Sequence, residues 1–240
     1  MMEDTYWPKK VFILGGSGGM GSSIAHALID LDIDIILGYK SNRGEAIRLQ
    51  NIKPGKISIC QCDVNNPSTE LFDMIHDIDS MVIASGQESL TNILSCTEKE
   101  LLDQYKLHVV APLLLIQRIV KNGILNNILL ISSTAAKECN PNGAAYGLSK
   151  AGCNILVKML DKQLISNAVR VNAIMPGWCN TSMTTRILDN QSIRLDDILS
   201  TKINGEILCP DEIASLCLFL LSSKSKHIHG QIIEIDSPSK

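Results

Sequence analysis

Aromatic residues are scarce in this chain: Phe, Trp and Tyr make up 4% of its 240 residues. Its hydrophobic content of 45% must therefore form an aliphatic interior rich in Ile, Leu and Val. Charge of one sign is also lacking. A formal net charge of -3 gives no basic footprint for nucleic acid or for an anionic membrane surface. The apolar runs fall well short of a membrane span, and Met1-Met2-Glu3-Asp4 lacks the basic start and apolar stretch of a secretory signal. The eight cysteines are scattered without a Cys-x-x-Cys pair, which excludes a clustered zinc site or disulfide framework and implies buried free thiols. The expectation is a soluble cytoplasmic protein with no metal, no nucleic-acid partner and no membrane partner.

What the chain does contain is an alternation of short apolar runs and helical periods. Lys10–Leu14 reads as a strand, Gly15-Gly16-Ser17-Gly18-Gly19-Met20-Gly21 as a turn, and residues 22–29 as a helix. Backbone N–H groups in such a turn can approach a pyrophosphate at the helix N-terminus, where the dipole favours negative charge. Two registers fit, Gly16-x-Gly18-x-x-Gly21 and Gly15-x-x-x-Gly19-x-Gly21. The strand before and the helix after raise this above a bare glycine pattern. Residues 33–39 form a second strand, followed by Lys40-Ser41-Asn42-Arg43 where a ribose-binding Asp or Glu would suit NAD. Two cations and two small polar groups there suit a 2′-phosphate; the alternative is a solvated loop opening a helix over residues 44–50.

Residues 57–62 form a third strand ending at Asp63-Val64, and residues 80–86 a fourth ending at Ser85-Gly86, with a helix over 68–75 between them. A long helix over 97–121 carries His108 on its polar face and Leu101, Leu102, Tyr105, Val109, Leu113, Ile116 and Ile119 largely on one apolar face. Strands alternating with helices at this interval predict an α/β fold, a doubly wound parallel sheet with helices on both faces. No linker, repeat or low-complexity segment divides the chain, so residues 1–240 are expected to form one domain. Ligands then bind at the carboxyl ends of the strands, where Gly15, Asp63, Gly86 and Ser133 all fall.

The chemistry centres on residues 128–150. The apolar run Ile128-Leu129-Leu130-Ile131 leads to Ser132-Ser133 and then to Tyr146-Gly147-Leu148-Ser149-Lys150. In a helix Tyr146 and Lys150 are i and i+4 and share a face. An ammonium beside a phenol favours the phenolate by coulombic attraction, which poises the phenol to give or take a proton. Ser133, at the strand mouth, can hold the oxygen that becomes alkoxide or carbonyl. A Tyr-x-x-x-Lys spacing alone occurs often by chance, so its context carries the argument. A sixth strand over 169–175 stops at Pro176-Gly177, and residues 181–209 read as a lid over the site or as an ordinary surface excursion. Pro210-Asp211-Glu212 opens a helix to about residue 221, and residues 232–236 form the last strand.

Taken together, these motifs resemble the short-chain dehydrogenase/reductase family of compact type over the whole chain. Gly15-x-x-x-Gly19-x-Gly21, Asp63-Val64, Ser133, Tyr146-x-x-x-Lys150, Pro176-Gly177 with Thr181, and Pro210-Asp211-Glu212-Ile213-Ala214 come in that family's order and spacing. The resemblance implies a Rossmann-type sheet of about seven strands and hydride transfer between NADP(H) and a carbonyl/alcohol pair. It implies Tyr146 as acid/base, Lys150 as its electrostatic partner and a ribose ligand, and Ser133 as carbonyl anchor. His108 stands where the family has an asparagine that supports a proton-relay water. The dinucleotide would be held by Gly15, Ser17, Gly18, Gly19, Met20 and Gly21. Lys40, Ser41, Asn42 and Arg43 would face its 2′-phosphate. Asp63 and Val64 would hold adenine, Ser85 and Gly86 would line the fourth strand's end, and Pro176, Gly177 and Thr181 would border the nicotinamide. Leu14, Ile83-Ala84 and Ser237-Pro238 depart from the family's usual residues. The chain is most similar to 3-oxoacyl-[acyl-carrier-protein] reductases, implying a 3-oxoacyl thioester or other small-molecule ketone and a homodimer or homotetramer. Sugar, steroid or other small ketone substrates are alternatives, as is a non-catalytic NADP(H)-binding sensor or scaffold.

Overall fold

The computed structural model describes residues 5–63, 67–191 and 193–238. Seven parallel strands form one sheet in the order β3-β2-β1-β4-β5-β6-β7. They are β1 (Lys10–Leu14), β2 (Asp34–Tyr39), β3 (Ile57–Gln61), β4 (Ser80–Ile83), β5 (Asn127–Ile131), β6 (Arg170–Pro176) and β7 (Ile232–Ile235). The helices are α1 (Gly19–Leu28), α2 (Arg43–Ile52), α3 (Thr69–Ile75), α4 (Glu98–Tyr105), α5 (Ala111–Ile119), α6 (Ala135–Glu138), α7 (Ala144–Leu164), α8 (Ser182–Gln191), α9 (Leu195–Thr201) and α10 (Pro210–Leu221). Strand order reverses between β1 and β4, which opens a crevice at the carboxyl ends of those two strands.

Alternation along the strands divides the core in two. Phe12, Leu14, Met81, Ile83, Ile128 and Leu130 face α3, α5 and α7. Val11, Ile13, Val82, Leu129 and Ile131 face α1, α2 and α10. Both faces are covered, so the strands are nearly continuous apolar runs, as a parallel sheet requires. Among the described residues, no helix is long and apolar enough to cross a membrane.

The long helix expected over 97–121 is not continuous. A π turn, Lys106–Val110, separates α4 from α5, and a single 3₁₀ turn ends the run. Such a turn carries an extra residue and rotates the next helical residues about the axis. His108, expected on the polar face, lies within this turn and is buried at 3% exposure. Leu101, Leu102 and Tyr105, expected on the apolar core face, are exposed, whereas Val109, Ile116 and Ile119 are buried. The fourth strand also stops at Ile83, leaving Ser85-Gly86 in the loop beyond it, and Gly19, Met20 and Gly21 belong to the first turn of α1.

Candidate active site

A cleft of about 1070 Å³ lies over the crevice, walled by the glycine turn, the loops after β2, β3 and β4, and the start of α8. The turn is folded tightly onto itself. Gly15 has φ +80°, and a Cβ there would stand 2.7 Å from the Ser85 nitrogen; a Cβ on Gly21 would stand 2.2 Å from the Gly15 carbonyl oxygen. Only glycine fits either position. Gly15 and Gly16 both donate to the Gly38 carbonyl (2.9 and 3.0 Å), which fastens the turn to β2. The first N–H groups of α1 have no partner within the helix, and Gly18 caps it without a side chain. Bare backbone, a helix N-terminus and a lining of Ser17, Gly18, Gly19 and Met20 fit a dinucleotide pyrophosphate.

The loop after β2 differs from expectation in detail. Lys40, Ser41 and Asn42 line the cleft, but Arg43 starts α2 and lies outside the lining. Asn42 is committed to local structure: its Nδ2 donates to the Ser17 carbonyl (3.1 Å) and its Oδ1 accepts from the Glu45 N–H. Lys40 Nζ lies 3.3 Å from Asp63 Oδ2, linking the ends of β2 and β3. Asp63 lines the cleft as expected; Val64 lies outside the described residues.

The expected proton-transfer group sits behind the cleft. Tyr146 stands in the first turn of α7 and Lys150 one turn later, buried, with Nζ 5.6 Å from the Tyr146 ring centroid. Lys150 Nζ donates to the Ile131 carbonyl (2.9 Å), so α7 is tied to the end of β5, two residues before Ser133. Ser133 Oγ accepts from the Ala135 N–H (3.2 Å) at the start of α6. Gly86 joins the two parts: a Cβ there would stand 3.9 Å from Lys150 Nζ and 3.5 Å from His108 Nε2. His108 meets the Tyr146 ring edge-on at 5.5 Å, and its Nδ1 lies 2.8 Å from Ser149 Oγ. Burial, and then the Lys150 charge, push the His108 pKa down to about 2.

Pro176 and Gly177 end β6 without lining the cleft, and the Asp236 carboxylate packs against Gly177. Thr181 does line it, and its methyl would stand 2.9 Å from a Cβ on Gly19. Segment 181–209 thus begins against the glycine turn. Two ion pairs hold it. Arg186 on α8 donates Nε and Nη2 to Glu88 (2.9 and 3.1 Å) across the cleft mouth. Burial alone would raise the Glu88 pKa, but the Arg186 hydrogen bonds hold its carboxyl below the usual range. At the other end, buried Lys202 donates to Asp236 (2.8 Å) and the Ser237 carbonyl, while Ile203 N–H donates to the Pro238 carbonyl. Sequence reading missed Glu88, Arg186, Ser149 and Lys202. The Arg186 and Lys202 contacts join residues 98 and 34 apart with no local spacing to betray them.

Comparison with known proteins agrees with this fold. The family model described as enoyl-(acyl carrier protein) reductase matches residues 15–237. An uncharacterised oxidoreductase, YmfI of Bacillus subtilis, is 27% identical over 238 residues, 95% of this chain and 97% of that protein. The 3-oxoacyl-[acyl-carrier-protein] reductase FabG of Rickettsia bellii is 27% identical over 230 residues, 93% of each chain. Among solved structures, an actinorhodin polyketide ketoreductase with NADPH superposes with a TM-score of 0.87 at 19% identity, covering 95% of each chain. A protein of Beutenbergia cavernae described as a putative NAD(P)-dependent gluconate 5-dehydrogenase, with NADP bound at low occupancy, gives 0.86 at 19% identity, again over 95% of each. The structural likenesses, at such identities, speak for the fold. Strand order, glycine turn and family-model match lead to one conclusion: the chain belongs to the short-chain dehydrogenase/reductase family of NAD(P)-using oxidoreductases and is similar to 3-oxoacyl-[acyl-carrier-protein] reductases.

Proposed function

We propose that this chain is an NADPH-dependent reductase that converts a ketone to a secondary alcohol, with 3-oxoacyl thioesters as the leading substrate class. The observation that carries this reading is buried Lys150, whose Nζ lies 5.6 Å from the Tyr146 ring centroid and faces Gly86 on the cleft floor. Nicotinamide, when bound, supplies the hydride. Tyr146 delivers the proton to the nascent alkoxide, Lys150 favours the phenolate left behind, and Ser133 fixes the carbonyl oxygen. Lys150, held by the Ile131 carbonyl, keeps further N–H donors for a ribose hydroxyl.

Residues 15–21 bind the pyrophosphate, Asp63 the adenine end, and Ser85, Gly86 and Thr181 the nicotinamide end, while Pro176 and Gly177, which do not line the cleft, position the loop that carries Thr181. Lys40 with Ser41 supports NADP(H), as do the NADP and NADPH named for two structural neighbours. Residues 1–240 act as one cytoplasmic domain in which 181–209 form the substrate lid. Leu102 and Tyr105 on α4 with Leu148, Ile155 and Met159 on α7 are exposed apolar groups on neighbouring helices. That face supports a homodimer or homotetramer.

The test is NADPH consumption on adding an acetoacetyl thioester, with Tyr146→Phe alongside. Turnover should fall by about 10²–10⁴-fold in the variant while NADPH binding persists. Binding without turnover on a broad panel of ketones would overturn the catalytic reading in favour of a non-catalytic binder.

A further inference from the structure

His108 and Ser149 form a pair that the Tyr146/Lys150 arrangement does not account for. His108 is 3% and Ser149 1% exposed, and their side chains meet at 2.8 Å. The Ser149 hydroxyl also lies 2.7 Å from the Tyr146 carbonyl, to which it donates. A hydroxyl has one proton, so Ser149 Oγ can only accept from the imidazole. That places the ring proton on Nδ1 and a lone pair on Nε2.

A second observation points the same way. Nε2 is buried with no partner among the described residues, and it faces the space over Gly86 that Lys150 Nζ also faces. An N–H at Nε2 would point a positive hydrogen toward the lysine charge; a lone pair is attracted to it. The titratable groups facing the ring are Lys150 and Tyr146, both from α7. Met183 Cε, from the lid, closes the same space, at 3.9 Å from a Cβ on Gly86. An unpaired buried acceptor is unfavourable unless something donates to it in the working state.

We propose that Ser149 locks His108 in the neutral Nδ1–H tautomer, making His108 Nε2 a fixed acceptor for the hydroxyl donor that enters beside Lys150 when the dinucleotide binds. The donor is a hydroxyl of the cofactor sugar or a water held with it. His108 is then a permanent acceptor, not a carrier of protons, and Ser149 is a positioning residue acting through it. This role rests on the reductase reading, but the tautomer does not.

The experiment is ¹⁵N-histidine NMR of the full-length protein, with His108 assigned by loss of its signals in His108→Asn. The expected spectrum has His108 protonated at Nδ1 alone from pH 5 to 9, in the free protein and with NADPH. Ser149→Ala should mix or reverse the tautomer and lower turnover about tenfold, equivalent to about 1.4 kcal/mol, without lowering the melting temperature enough to unfold it. His108→Phe, which keeps a ring but no acceptor, should lose as much, and His108→Gln, which keeps an acceptor, should lose less. A fall in NADPH affinity in His108→Phe identifies a sugar hydroxyl as donor; a fall in kcat alone identifies water. An imidazolium or Nε2–H ring at neutral pH, or Ser149→Ala with unchanged tautomer and kcat, overturns the proposal. If the wild-type protein turns over no ketone but shows the expected tautomer, the reductase reading fails while the lock stands.

Discussion

On one side of the cleft the binding surface is backbone; on the other it is side chains. The glycine turn is fixed by strand–helix geometry, by Gly38 accepting two N–H bonds, and by the absence of side chains at Gly15 and Gly21. The lid opposite is fixed by charges, one ion pair exposed at the mouth and one buried at its root. The first surface can recognise a group common to all dinucleotides. The second can be rebuilt without disturbing the sheet, and under the proposed function it is the segment that would carry what is particular to the substrate.

The contrast can be broken from the lid's root. Lys202→Met leaves Asp236, whose Oδ1 is already buried without a hydrogen-bond partner among the described residues, as an uncompensated charge. We expect a loss of about 3–5 kcal/mol in chemical denaturation. Lys202→Met with Asp236→Asn should recover most of it. On the backbone side, Gly21→Ala forces a Cβ into the Gly15 carbonyl and should cost about 1–3 kcal/mol. Because the turn must deform, NADPH affinity should fall with stability, and calorimetry alongside a cofactor titration reads both. Lys40→Glu leaves the turn intact and should weaken NADPH by about tenfold, or ~1.4 kcal/mol, with a smaller effect on NADH. Equal losses for the two cofactors would remove Lys40 from 2′-phosphate recognition. Arg186→Ala should be the mildest: the pair is more than half exposed on the arginine side, so less than about 1 kcal/mol of stability is at stake. Its signature is kinetic, a faster release of NADPH in stopped flow that added salt mimics in the parent protein.

The same division explains what could be read from sequence. Parallel strands buried on both faces announce themselves as apolar runs, and the glycine turn, Asp63 and Tyr146-x-x-x-Lys150 depend on local spacing, so their placement was legible directly. The 97–121 helix was only partly legible, because an apolar period does not reveal the π turn at Lys106–Val110. Nor does it distinguish Ile116, which faces the core, from Leu102, which is exposed. Adjacency groups Arg43 with Lys40, yet Arg43 opens α2 and is not among the residues that line the cleft. The lid's ion pairs and the His108–Ser149 contact join residues far apart in sequence, where spacing carries no signal.

Sheet order also bears on assembly. β1 pairs with β2 on one side and β4 on the other, and β5 to β7 reach it only through β4 in the finished sheet. Ahead of β1, Tyr6 exchanges hydrogen bonds with Ser223, 217 residues later. A chain emerging from the ribosome can form the half-sheet of β1, β2 and β3 early, but its first segment waits for nearly the last one. Such long-range closure slows folding and leaves sheet edges open meanwhile. The N-terminal arm before β1 should therefore be the last part to gain protection in pulse-labelled hydrogen exchange.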